Sequence, residues 1–268
     1  EAINYAKDNN IDVIVLDHHQ SEINLPKAYS VVNPNRLDDK SNLQYLCAAG
    51  VSFMFLVSIN RQLRLVDWFK KNSLNEPNLI NFLDLVSLGT VCDVVPLVGL
   101  NRAIVKQGLK ILKSKKNLGL KTLLEICKIE ASPSIYHLGY ILGPRINAGG
   151  RVGKCSHGAN LLLNSNPKEV FKLATELDQY NKERQMLEKD LIKKILIESE
   201  TKLKDPILIL QGSNWHEGVI GIVAARLKDK FNKPVIIISI NGNIGKASAR
   251  SIVGFDIGSA IIAATQEK

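Results

Sequence analysis

From Pro167 to Leu203 the chain runs without a glycine or a further proline, in a polar helical pattern rich in lysine and glutamate. A helix that long and that polar is most simply a connector between two folded regions. The stretch therefore divides the 268 residues into a large N-terminal region and a smaller C-terminal one, and the length suits one large or two modest domains.

Both regions read as α/β. Residues 2–8 look helical, Asn9 and Asn10 form a turn, and Ile11–Leu16 is a continuous apolar run of the kind covered on both faces in a parallel sheet. Pro26 and Pro34 bracket a loop around a short strand at Tyr29–Val32. Helical spacing follows at Leu46–Leu65 and Leu79–Leu88. Asn101 is placed to N-cap a helix reaching Leu112, and Lys121–Cys127 reads as another helix. The segment 142–153, "LGPRINAGGRVG", is expected to be irregular because of its glycines. Beyond the connector come a strand Pro206–Leu210, the loop "QGSNWHEG", a helix Val219–Lys230, a strand Pro234–Ile240 and the polar segment "GKASARS".

A net charge of +9 and a pI near 9.3 favour a polyanionic partner. Cys47, Cys92, Cys127 and Cys155 show no CxxC or paired spacing, so they read as reduced thiols rather than disulfides or a zinc cluster. No apolar run is long enough for a membrane span and no signal peptide is visible, so the compartment is read as the cytoplasm. The opening "EAINYAKDNN" lacks an initiator Met and reads as a helix already under way, so the chain is expected to be an internal piece of a longer one.

Candidate chemistry gathers at four places. Asp17, His18 and His19 end the strand at 11–16, and in open parallel sheets ligand sites lie outside the carboxyl ends of strands. Imidazole and carboxylate together suit Mn²⁺, Fe²⁺ or Zn²⁺; the plainer alternative is a loop with one capping and one exposed histidine. Asp93, flanked by Val91, Val94 and Val95, is poorly placed for the surface unless it is paired or on a metal, whereas Asp84 reads as structural, exposed or capping. Arg145, Asn147 and Arg151 in "GPRINAGGR" offer backbone N–H groups and guanidinium forks to a phosphate, or else form an interdomain turn. Ser248 and Arg250 in "GKASARS" make a second oxyanion cradle or a polar hairpin, and His216 before a helix is a candidate substrate contact.

Taken in order, "VLDHHQ", "LDLVSLGTVCDVVPL", "LGPRINAGGRVG", "LDQYNKERQ" and "WHEGVIGIVAARL" with "GKASARS" resemble the DHH phosphoesterase superfamily, and within it the RecJ single-stranded-DNA exonucleases. The resemblance implies a parallel-sheet DHH domain over residues 1–155, a connecting helical segment over 156–203 and a smaller α/β DHHA1 domain over 204–268. It implies 5′ to 3′ hydrolysis of single-stranded DNA with two Mn²⁺ or Mg²⁺ ions, in recombination and repair, with a single-strand-binding protein and a helicase as further partners. By position, His18 and Asp93 would be metal ligands and Asp17 would orient its neighbours. His19 would meet the scissile phosphate, Arg145 and Arg151 would line the DNA path, and Ser248 and Arg250 would hold the 5′-terminal phosphate. The family's other aspartate motifs would precede residue 1, and its GGH segment and OB-type domain would follow residue 268, so this piece by itself is expected to be inactive. Two alternatives stand beside this reading: a DHH phosphodiesterase on oligoribonucleotides or cyclic dinucleotides, and a non-catalytic single-strand-binding scaffold.

Overall fold

The computed structural model describes residues 1–199 and 204–266. Two compact units are present, Glu1–Gly143 and Pro144–Lys268.

The first unit starts with α1 (Ala2–Asp8), closed by Asn10 in the left-handed conformation (φ 58°), with Ile11 N donating back to Ala6 O. Ile11 therefore belongs to a helix cap, and the expected strand shortens to β1 (Ile14–Leu16). Its neighbour β2 (Ser30–Val32) pairs with it in parallel, Ile14 opposite Ser30 and Leu16 opposite Val32. The pairing continues one step further, Asp17 N donating to Val32 O. This register sets the residues after β1, 17–19, beside those after β2, 33–35.

Helices α2 (Ala48–Leu65) and α3 (Trp68–Lys71) follow. A 3₁₀ turn at Leu79–Phe82 then leads into α4 (Leu83–Cys92), and α5 spans Gly99–Lys113. Leu83, Val86 and Ile104 form a buried cluster backed by Phe53, Leu100 and Ile111. α4 and α5 cross at Gly108, where a Cβ would lie 1.8 Å from Ser87 Oγ and 2.1 Å from Leu83 O. Only glycine allows that approach. Asn101 is not the N-cap the sequence suggested: Val98 holds that position, and Asn101 lies one turn inside α5 with no exposed surface. α6 (Leu118–Ile126) and a π-helical stretch, His137–Leu142, complete the unit.

The expected irregularity of residues 142–153 does not hold, because α7 covers Gly143–Val152. Each glycine costs a helix up to about 1 kcal/mol relative to alanine. Close packing explains Gly149 here, whose Cβ would sit 2.7 Å from Lys154 O.

α8 (Ser156–Leu163) precedes α9 (Pro167–Ser199), the long helix read from the sequence; the last residues of that reading, 200–203, lie outside the described residues. Then come β3 (Leu208–Ser213), α10 (Glu217–Phe231), β4 (Val235–Asn241), β5 (Ile244–Arg250) and α11 (Ile257–Gln266). β3 and β4 are parallel across α10, while β5 returns antiparallel through a two-residue turn at Gly242 (φ 58°) and Asn243. "GKASARS" thus forms most of the return strand of a hairpin. The core of this unit joins Leu191 and Ile195 of α9, Leu208 and Leu210 of β3, Val219, Val223 and Leu227 of α10, and Val235 and Ile237 of β4.

A candidate metal site and a basic cleft

In the first unit, Asp17 is consumed by its own loop. Its Oδ1 accepts from His18 N at 2.7 Å, His19 N at 3.3 Å and His19 Nδ1 at 2.7 Å. Partial burial pushes its pKa up, but the histidine ring and the two amides outweigh that and hold it below the ordinary carboxylate range. The loop is also clamped from β2. Asn33 Nδ2 donates to His19 O at 2.9 Å, and Asn35 Nδ2 donates to His18 O at 2.7 Å. Asn33 Oδ1 in turn accepts from Asn35 N at 2.8 Å.

The structure brings His18 together with Asp93, which lies far away in sequence: His18 Nδ1 is 3.4 Å from Asp93 Oδ2. Asp93 is more accessible than its valine neighbours suggested, with 39% of its side chain exposed. It is the C-cap of α4, at the negative end of the helix dipole, where a carboxylate is disfavoured and a cation is attracted. Asp84 contrasts with it. That carboxylate lies in the first turn of the same helix, is buried rather than exposed, and accepts from Leu85 N at 2.8 Å while burial raises its pKa.

One imidazole nitrogen and one carboxylate oxygen form a donor set that fits Mn²⁺ and, less selectively, Mg²⁺. Among the described residues no group of three or more His, Cys, Asp or Glu side chains is gathered for a metal ion, so this pair supplies only part of a coordination shell. His19 stacks obliquely on His18, ring centroids 4.5 Å apart, with 78% of its side chain exposed.

The second unit presents cations. Arg145 and Arg151 do not flank a flexible turn but project from different faces of α7. Arg145 Nε donates to Asp178 of α9 at 2.8 Å, whereas Arg151 Nη1 donates to Gly218 O at the start of α10 at 3.0 Å. Asn147 is exposed on α7. Burial lowers the Arg151 pKa, as do the neighbouring charges of Arg184 and Arg250, with Glu188 opposing. Arg184, which sequence reasoning passed over as one of many charges on a polar helix, is buried on α9 between Asn181 and Glu188, and Glu188 also pairs with Arg226.

The first turn of α10 makes room for this cluster. A Cβ on Gly218 would lie 2.2 Å from Arg151 O, and one on Gly221 would lie 2.9 Å from Ser248 Oγ and 3.2 Å from Arg250 Nη2. Ser248 and Arg250 also touch each other, Nη1 to Oγ, at 3.3 Å. His216 caps α10, accepting from Gly218 N, and lines a cleft of about 620 Å³ with Gly150, Arg151, Asn214, Trp215 and Asn241. The cleft itself carries one guanidinium, Arg151, and one carboxylate, Glu217, with Arg184 and Arg250 near enough to Arg151 to add positive charge.

Two parts of the chain match models of known families, and most of it aligns with known proteins. A model described as the DHH family, N-terminal domain, matches residues 1–90, and one described as the DHHA1 domain matches residues 204–267. The single-stranded-DNA-specific exonuclease RecJ of Salmonella typhimurium is 40% identical over 266 residues, covering 96% of this chain and 46% of that protein. Crystal structures of Thermus thermophilus RecJ with Mn²⁺ and with Mg²⁺ superpose with TM-scores of 0.81 and 0.78, at 30% and 29% identity. They cover 97% and 96% of this chain, and 37% of each Thermus chain. The chain spans about half the length of the curated relatives it matches.

Proposed function

We propose that this chain, which matches the DHH and DHHA1 family models and is 40% identical to a RecJ exonuclease over 266 residues, belongs to the RecJ branch of the DHH family and carries part of a metal-dependent 5′ to 3′ exonuclease for single-stranded DNA, serving recombination and repair. The supporting observation is the meeting of His18 and Asp93 at 3.4 Å, at the end of β1 and the C-cap of α4.

In this reading His18 and Asp93 hold one of two divalent ions, Mn²⁺ or Mg²⁺. When bound, such ions polarise the phosphodiester and lower the pKa of the attacking water. Asp17 fixes the histidine loop by taking three N–H donors on one oxygen. His19 turns Nδ1 to the Asp17 carboxylate, which leaves its other ring nitrogen outside that bond, and the side chain is exposed enough to meet the scissile phosphate or to support a proton transfer. In the second unit, Ser248 and Arg250 take the 5′-terminal phosphate. Arg145, Asn147, Arg151 and His216 contact the strand, as guanidinium forks and polar groups that grip phosphate without reading sequence.

The domain limits proposed are 1–155 for the DHH part, 156–203 for the connecting segment and 204–268 for the DHHA1 part. The enzyme would work in the cytoplasm, with a single-strand-binding protein and a helicase as partners. No helix among the described residues is long and apolar enough to cross a membrane.

The test follows the shortening of end-labelled single-stranded DNA in Mn²⁺ by the protein, by His18→Ala and by Asp93→Ala. Stepwise loss from the 5′ end is expected of the full-length parent enzyme that contains these residues, and none from this chain alone, which holds only part of a metal shell. Each variant should lose more than the roughly 10- to 100-fold typical of an outer-shell partner. Unchanged degradation by either variant refutes the assignment.

A further inference from the structure

We propose that Asn35 and Asn101 are positioning residues for the metal pair, latching the His18 loop and the Asp93 loop to adjacent residues, Gln44 and Tyr45. This inference rests on the reading of His18 and Asp93 as ligands.

Asn35 Nδ2 donates to His18 O at 2.7 Å and to Gln44 O at 3.3 Å. Asn101 Nδ2 donates to Tyr45 O at 2.7 Å and to Pro96 O, in the loop that leaves Asp93, at 3.0 Å. Each amide thus spends both hydrogens on two carbonyls, one beside a ligand and one on the segment just before α2. The two anchor points are consecutive residues. Gln44–Tyr45 therefore acts as a spacer between the His18 loop and the Asp93 loop. Tyr45 adds a second tie, its hydroxyl accepting from Leu100 N at 3.5 Å.

Three features argue that the donors are what these positions require. Both partners of each amide are carbonyl oxygens, so only the NH₂ end fits. Asn101 is fully buried, yet its Oδ1 finds no hydrogen-bond partner among the described residues. An orphaned acceptor is costly, and the side chain keeps it in exchange for the two carbonyl bonds. Third, Val94, directly after Asp93, has φ +58°, a left-handed conformation that a β-branched residue strongly resists. Something must hold that loop in place, and the bond from Asn101 to Pro96 O does so two residues on. Metal sites tolerate little looseness in their supporting shell, so such ties set affinity rather than stability alone.

The test measures Mn²⁺ dissociation constants from the electron-paramagnetic signal of the free ion, together with melting temperatures. The variants are Asn35→Ala, Asn101→Ala, their double variant and the milder Asn35→Ser and Asn101→Ser, should the alanine forms not fold. His18→Ala is the reference for loss of a ligand. Asn60→Ala is the control for a buried asparagine whose amide goes to Glu76 instead, at 2.7 Å.

Each latch variant is expected to weaken Mn²⁺ binding about 10-fold or more. The double variant should be little weaker than the worse single one, because both latches set one distance. Asn60→Ala should melt lower with Mn²⁺ binding unchanged. Latch variants that melt lower but bind Mn²⁺ like the parent overturn the proposal, as does a double loss equal to the product of the singles. If His18→Ala also binds like the parent, the ligand reading itself has failed.

Discussion

The two candidate sites are built in opposite ways. The histidine–aspartate pair stands on loops that follow a short strand and a helix end, and side-chain amides tie those loops to backbone carbonyls. The arginine cluster stands on regular elements, α7, α9, α10 and β5, and glycines let those elements close up. A metal site needs angular precision from few donors, which hydrogen-bonded loops supply. A phosphate cradle needs like charges held near one another against repulsion, which rigid packing supplies.

The largest difference between the two should appear on ligand removal. His18→Ala or Asp93→Ala should abolish metal-supported hydrolysis while leaving most single-strand affinity intact. Arg250→Ala should do the reverse: it should weaken 5′-phosphorylated strands by about 1.5–3 kcal/mol and spare 5′-hydroxyl strands. Equilibrium binding of the two strand types, run beside the activity assay, reads both. A variant at either site that removes both functions equally would erase the distinction.

The packing claim for the basic cleft predicts that Gly218→Ala destabilises the protein by about 1–3 kcal/mol, since its Cβ would meet the Arg151 backbone at 2.2 Å. Chemical denaturation measures this, and an unchanged midpoint would show that α10 and α7 can separate at no cost. Gly150→Ala, with open space around its Cβ, is the matched control and should be near neutral or slightly stabilising.

Much of the fold was legible. The long polar helix and the second α/β unit stand close to where the sequence put them, whereas the apolar run at 11–16 yields only a short strand, 14–16, with Ile11 and Ile14 exposed rather than covered on both faces. Asp93 drew attention as a carboxylate among valines, although it is more exposed than that argument implied, and His18 because charge ended an apolar run; the structure brings the two to 3.4 Å. Asn35 and Asn101 were not found as clamps. Their bonds reach residues distant in sequence, such as His18 and Tyr45, and leave no periodic trace. "NPN" carried only a turn signal, although the parallel register of β1 and β2 puts it beside the histidines. α7 was misread because glycine was counted as a breaker, when at Gly149 it is the residue that lets the helix pack.

Smaller effects separate the sites by pH. Burial raises the Asp178 pKa, but hydrogen bonds from Lys182 and Arg145 outweigh it and hold the carboxyl below its ordinary range. A depressed folded-state value means its stabilisation is present above the unfolded value near 3.8 and is lost as pH falls through the folded one. Asp178→Asn should therefore cost stability at pH 7 and converge with the parent below about pH 3, as melting temperatures across that range would report. The smallest expected change lies beside the metal pair. Val94→Asn, at an exposed left-handed position, should stabilise the protein by about 1 kcal/mol, because asparagine adopts that conformation readily.

The central claim, that His18 and Asp93 share a divalent ion, is tested most directly by an anomalous difference map at the manganese edge from a crystal grown with Mn²⁺. The account predicts a peak about 2.0–2.2 Å from both an imidazole nitrogen of His18 and a carboxylate oxygen of Asp93. Manganese peaks elsewhere, with none touching either residue, would contradict it.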